Sequence, residues 1–190
     1  IVGTPSGDSV VWGTPVQFST GETTAITGGN IANMGFAMAY DPDTERIVIA
    51  WSEGDISGAT PSGAGKGTSK VGTVSGTGTA GTITFGSEGT FDTGGAVIAS
   101  YGGSNDGTRF CQCMVYDTTN NKMVIAWMKA NVGDFGQIAV GTIIGGGTNS
   151  ITWGTPVRPN TTASGEWNYV SLGFDPSSGN ILVAWEDMVA

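Results

Sequence analysis

The sequence predicts an all-β fold, a β-propeller-type repeat of three four-stranded antiparallel units, and three observations carry that reading. A twelve-residue motif occurs three times: Tyr40 to Trp51 (YDPDTERIVIAW), Tyr116 to Trp127 (YDTTNNKMVIAW) and Phe174 to Trp185 (FDPSSGNILVAW). Each copy is an aromatic residue, an Asp, a short polar turn and an apolar run ending Ala-Trp. Val2-Gly3-Thr4, Val71-Gly72-Thr73 and Val140-Gly141-Thr142 recur in step, 69 residues apart. Trp12-Gly13, Phe85-Gly86 and Trp153-Gly154 follow in the same order. Self-similarity at a fixed spacing marks a repeat architecture before any single residue is interpreted.

Residues 1–18 hold Ile1-Val2, then Val10 to Trp12, then Pro15 to Phe18: the Val-Gly-Thr and Trp-Gly strands of a unit, with no Tyr-Asp piece in front. Residues 19–33 read as a loop or ragged strand. From Met34 to Tyr40, Met, Phe, Met and Tyr alternate with Gly and Ala, which predicts a strand with one bulky and one small face. Asp41-Pro42-Asp43-Thr44 is a hairpin turn, because Asp caps its own backbone and Pro presets φ. Ile47, Ile49 and Trp51 then face one way and Val48 and Ala50 the other, so this strand is expected to be covered on both sides. Residues 52–69 form a long Gly/Ser/Thr loop before strands at Val71 to Val74 and Ile83 to Phe85.

Residues 92–109 make a second long connection, with a short strand from Ala96 to Tyr101. Phe110 to Tyr116, Lys122 to Trp127, Ile138 to Ile144 and Ile151 to Trp153 complete the second unit. The third supplies Trp167 to Phe174 and Ile181 to Trp185. The units run over about 19–85, 86–157 and 158–190 of a single domain, and residues 1–18 are expected to finish the third sheet. Bulky residues stacked on small ones across neighbouring sheets explain the alternation. Propellers have four to eight blades, so three units imply half of a six-bladed ring or part of a longer array. A three-sheet β-prism or trefoil-like arrangement is the alternative.

The bulk composition narrows the function. Seven basic residues against 16 acidic ones leave a net charge of −9, the wrong sign for a nucleic-acid footprint. No apolar run reaches the length of a membrane-spanning helix, so no membrane insertion is expected. The chain opens on Ile, which suggests a processed chain or a piece of a longer one. Cys111 and Cys113 sit two apart on one strand, with Cα atoms near 6.8 Å and parallel side chains, so they read as buried free thiols. With no His in the chain, serine and cysteine triads and most transition-metal sites are absent. Glu22, Glu53, Glu88, Glu166 and Glu186 stand in separate segments without the pairing that glycoside hydrolysis requires. No enzyme, cofactor or metal is expected, and Asp41, Asp43 and Glu45 read as turn residues before calcium ligands.

The run Y-D-x-x-T-x-x-x-V-I-A-W, then V-G-T-V-S-G-T and I-T-F-G or I-T-W-G-T-P-V, resembles short repeats of bacteriophage tail-fibre and adhesin-like proteins, and it covers almost the whole chain. The resemblance implies a non-enzymatic, extracellular or virion-surface module that recognises a host glycan or receptor. A purely structural virion or filament subunit is one alternative and a carbohydrate-active hydrolase another. Expected partners are a cell-surface glycan or receptor, and further copies of the chain or further repeats of a parent chain. Trp51, Trp127 and Trp185 recur at one register and read as packing residues. Unrepeated aromatics on connections, beside polar neighbours, are the candidate ligand contacts: Trp167 with Glu166 and Asn168, Tyr101 with Asn105 and Asp106, and Phe135.

Overall fold

The structure, a computed structural model, describes residues 1–19, 36–53, 66–93, 96–97, 113–129, 135–145, 149–159 and 166–188. Thirteen strands and one 3-10 turn (Gly78–Ala80) lie in those residues. They are β1 Gly3–Ser6, β2 Ser9–Trp12, β3 Phe36–Asp41, β4 Arg46–Glu53, β5 Lys66–Ser75, β6 Thr82–Asp92, β7 Ala96–Val97, β8 Met114–Asp117, β9 Lys122–Lys129, β10 Phe135–Ile144, β11 Ser150–Trp153, β12 Glu166–Asp175 and β13 Asn180–Met188.

All pairings are antiparallel and make four sheets. The first unit is β3-β4-β5-β6. The second is β11-β10-β9, with β8 and the short β7 both paired to the other side of β9. The third is the pair β12-β13, and β1-β2 form a sheet of their own. The recurrent motif is the hairpin β3-β4, β8-β9 or β12-β13, and the Val-Gly-Thr strand pairs with the Ala-Trp strand in each of the first two units.

The glycine of Val-Gly-Thr has a steric reason. Gly3 pairs with Trp12, Gly72 with Phe85 and Gly141 with Trp153. A Cβ at these glycines would come within 2.7 Å of the Trp12 ring, 3.0 Å of the Phe85 ring and 2.7 Å of the Trp153 ring. The aromatic therefore lies across its partner's bare backbone, a contact only glycine permits.

The sheets stack bulky on small. Met114, Tyr116, Met123, Ile125 and Trp127 of the second unit pack onto Ala37, Val48, Ala50 and Val71 of the first. Val170, Leu172, Phe174, Ile181 and Val183 of the third pack onto Val115, Val124 and Ala126 of the second. Val48, Ala50, Met114, Met123, Ile125 and Trp127 are fully buried. Each large side chain removed from water in this way stabilises the fold by roughly 1.5–3 kcal/mol. Cys113 faces the third unit, buried, with its thiol donating to the Val170 carbonyl at 3.2 Å; Cys111 lies outside the described residues.

Two expectations change. The cover on β4 is uneven: Val48 and Ala50 are fully buried and Trp51 nearly so, whereas Ile47 and Ile49 are half-buried. Phe36, Met38 and Tyr40 of the paired β3 are 57, 56 and 54% exposed, because among the described residues no sheet lies over the bulky face of the first unit. Among the described residues, Phe18 reaches across that face, edge-on to Trp51 (centroids 5.1 Å) and Phe85 (6.3 Å). The hairpin β1-β2 also stands elsewhere than expected. Among the described residues it makes no ladder with β13 and rests instead on the first unit. There Thr14 N donates to the Gly81 carbonyl (3.2 Å) and Gly78 N to Thr4 Oγ1 (2.7 Å). These two bonds and the close packing of Gly13 on the Gly81 backbone hold it there.

Candidate functional site

The three turns that follow β3, β8 and β12 are built alike and lie at one end of the stack. Asp41 Oδ1 accepts from the amides of Asp43 (2.9 Å) and Thr44 (3.3 Å), and its Oδ2 accepts from the Thr44 hydroxyl. Asp117 Oδ1 accepts from Thr119 N (2.9 Å) and Asn120 N (3.0 Å), its Oδ2 from Asn120 Nδ2 (2.8 Å). Asp175 accepts from Ser177 N (2.9 Å) and from the hydroxyls of Ser177 (2.7 Å) and Ser178 (2.6 Å). The recurring Asp thus caps its own turn, which is the chemistry the motif suggests. The turn closes on a left-handed residue each time, Glu45 (φ 55°), Asn121 (φ 55°) and Gly179 (φ 69°).

Neighbouring turns are tied together. Tyr116 reaches back to the first unit and its hydroxyl donates to Asp43 Oδ2 at 2.9 Å. In the amide orientation that satisfies its surroundings, Asn121 Nδ2 donates to the same oxygen at 2.8 Å. Gly179 lies against Thr119, so the third turn rests on the second.

These contacts shape the electrostatics. Burial, then the hydrogen bonds and charges of Asp41 and Asp43, push the Tyr116 hydroxyl well above the ordinary tyrosine range. Burial works to raise Asp117, but the donors from Asn120 and Thr119 outweigh it and hold the carboxyl below its usual range. The hydroxyls of Ser178 and Ser177 lower Asp175 to about 2. At neutral pH Asp117 and Asp175 therefore stand as carboxylates, each occupied by donors of its own turn.

An open cavity of about 470 Å³ lies beside these turns. Its wall is Met38, Tyr40 and Pro42 from the first unit, Val115, Tyr116 and Thr118 from the second, and Phe174 from the third. Tyr40, Tyr116 and Phe174 are the same position of the repeat. The cavity follows the strands β3, β8 and β12, which lie side by side and use only one edge each for pairing among the described residues. It is an apolar, aromatic hollow with a hydroxyl on its rim, suited to a ligand that has both an apolar face and hydrogen-bonding groups. Among the described residues, no group of three His, Cys, Asp or Glu side chains is placed to hold a metal ion.

Of the residues singled out from the sequence, the backbone of four is described, at two strand starts. Glu166, Trp167 and Asn168 open β12, opposite Met188, Asp187 and Glu186, and Phe135 opens β10 opposite Lys129. Both strand starts are at the end of the sheets away from the Asp turns, about 23 Å along the strand from Asn168 to Asp175. The side chains of Phe135, Glu166, Trp167 and Asn168, and all of Tyr101, Asn105 and Asp106, fall outside the described residues. Sequence reasoning that looks for unrepeated aromatics passes over the hollow, because Tyr40, Tyr116 and Phe174 recur in every copy of the motif. The signal in the sequence is an aromatic immediately before every turn Asp. Trp127 and Trp51 are core residues, at 0 and 5% exposure, and Trp185 packs on the second core. The chain matches no protein-family model, no curated protein and no solved structure.

Proposed function

We propose that this chain is a non-enzymatic recognition module of an extracellular or virion-surface appendage, with its sheets arranged as propeller-type blades. Its ligand is a saccharide unit of a surface glycan. The observation that carries this reading is the aromatic hollow at the turn end. Tyr40 is half exposed there, Tyr116 and Phe174 line the wall, and Thr118 stands exposed on the rim. Sugars present apolar C–H faces flanked by hydroxyls, and such a ligand matches an aromatic wall with few polar groups.

The test is glycan-array binding followed by titration calorimetry. Thr118→Arg plugs the rim without touching the stacked cores and abolishes binding, whereas Trp167→Ala leaves it intact. Binding lost in Trp167→Ala but kept in Thr118→Arg would move the site to the opposite end of the sheets. A purely structural role is the second reading, favoured by the exposed bulky face of the first unit.

A further inference from the structure

Inside the chain the same junction is made twice: the bulky face of one sheet covers the small face of the preceding one. The two ends of the series leave the two halves of that junction open. On the first unit, Met38 and Tyr40 are 56 and 54% exposed, although their repeat equivalents Met114 and Tyr116 are buried at 0 and 8%. On the third unit, Leu182 is 59% exposed, although its equivalents Val48 and Val124 are buried at 0 and 4%. Ser171, Gly173 and Ala184 share the Leu182 face and stand where Ala37, Ala39 and Ala50 stand in the first unit.

The sheet edges repeat the pattern. β4 pairs with β5, and β9 with β10. The corresponding strands β13 and β1 pair only with β12 and β2 among the described residues. The outer half of the second unit's small face is open as well, with Val140 48% exposed. The hairpin residues that correspond to Ile151 and Trp153 are Val10 and Trp12, and these are 41 and 56% exposed.

We infer that a second copy of this chain docks head to tail on this one. The bulky face of its first unit covers the Leu182 face of the third unit here, and its hairpin β1-β2 extends β13 here. Repeat equivalence sets the register: Gly3 opposite Ile181 and Val2 opposite Leu182, as Gly72 stands opposite Ile47 and Val71 opposite Val48. Trp12 of the second copy then lies over Val140. Two such junctions related by a twofold axis close the pair, giving six sheets, a number that propellers use. Free faces and free edges match at once, so the occupant is another copy of this chain. The inference is drawn from the stacking, and it shares Met38 and Tyr40 with the wall of the hollow, so a docked copy borders the proposed ligand site on that side.

Sedimentation equilibrium up to roughly 100 μM, a hundredfold above a micromolar dissociation constant, tests it. The wild-type chain is expected at twice the chain mass. Phe36→Asp and Leu182→Asp each bury an unpaired charge in the junction and weaken association about 100-fold or more. Both side chains are exposed in one chain, so circular dichroism of the monomeric variants stays unchanged. Mixing the two variants restores association, because one of the two junctions then has wild-type residues on both sides.

A wild-type monomer throughout the range overturns the inference. An open-ended polymer overturns the closed pair. Association sensitive to Phe36→Asp but not to Leu182→Asp overturns the head-to-tail arrangement, since it means that the bulky face meets its own copy. Thr118→Arg leaves the mass unchanged, which separates this result from that of the glycan titration.

Discussion

Replacing Trp127 with Phe tests whether the recurrent tryptophan is a structural residue held by a specific partner. Its ring is fully buried, and its Nε1–H donates to Asp92 Oδ2 at 2.9 Å. Asp92 is itself 5% exposed and also receives Lys129 Nζ, at 2.8 Å on Oδ1. Phe91 meets the indole edge-on, with centroids 5.0 Å apart and planes at 65°. Phenylalanine keeps much of the packing but removes one donor from a buried carboxylate. A hydrogen bond to a charged group contributes about 1.5–3 kcal/mol, and the lost ring atoms leave a small cavity. Together the loss is about 2–4 kcal/mol, a large part of the 5–15 kcal/mol that a domain usually has. Urea unfolding followed by far-ultraviolet circular dichroism measures it at one fixed protein concentration, because self-association makes stability depend on concentration. The cycle with Asp92→Asn should then show a coupling of roughly 0.5 kcal/mol or more. A Trp127→Phe loss below about 0.5 kcal/mol, or strictly additive losses, would refute the assignment of Asp92 as the group that orients this ring.

Three other predictions concern the turns. The folded state holds the Tyr116 proton more tightly than the unfolded chain does. Its contribution is therefore full below about pH 10 and is lost as pH rises past that point. Tyr116→Phe should cost about 1 kcal/mol at neutral pH through the lost bond to Asp43, yet lose less stability than wild type between about pH 10 and pH 12. Parallel alkaline decline of the two proteins in chemical denaturation would count against this. Gly179→Ala should destabilise by about 1 kcal/mol, since φ is 69° and the added Cβ meets nothing closer than Thr119 at 3.7 Å, leaving only backbone strain. Glu45→Gly, at φ 55°, should do the reverse by up to about 1 kcal/mol, and thermal melts of both variants read the opposite signs.

The hairpins β3-β4, β8-β9 and β12-β13 were legible because an Asp-led turn sits between two alternating runs. The alternation of Met34, Phe36, Met38 and Tyr40 with Gly35, Ala37 and Ala39 was enough to expect stacking of bulky on small. The long outer strands were harder to read. β5 begins at Lys66 and β6 runs to Asp92, whereas apolar residues alone predict Val71 to Val74 and Ile83 to Phe85. The added stretches, such as Gly67-Thr68-Ser69, have little strand propensity of their own. Gly67, Thr68 and Ser69 are buried, and that tertiary setting decides their conformation. Ser69 illustrates it: its Oγ accepts from Trp153 Nε1 of the next sheet at 2.9 Å, a partner 84 residues away. Asp92 was likewise read as part of a connection, because nothing local marks it as the acceptor for Trp127. The resting place of residues 1–18 on the first unit depends on Gly13 meeting the Gly81 backbone; Gly13 belongs to the recurring Trp-Gly pair, but Gly81 stands outside the recurring motifs and no spacing pairs the two.

The asymmetry of each sheet, broad on one side and shallow on the other, gives the series a sense of direction like that of a row of nested cups. A unit copied in the gene and inserted between two others meets the same surfaces on each flank as its parent did, so such a chain can lengthen or shorten by whole units without inventing a contact.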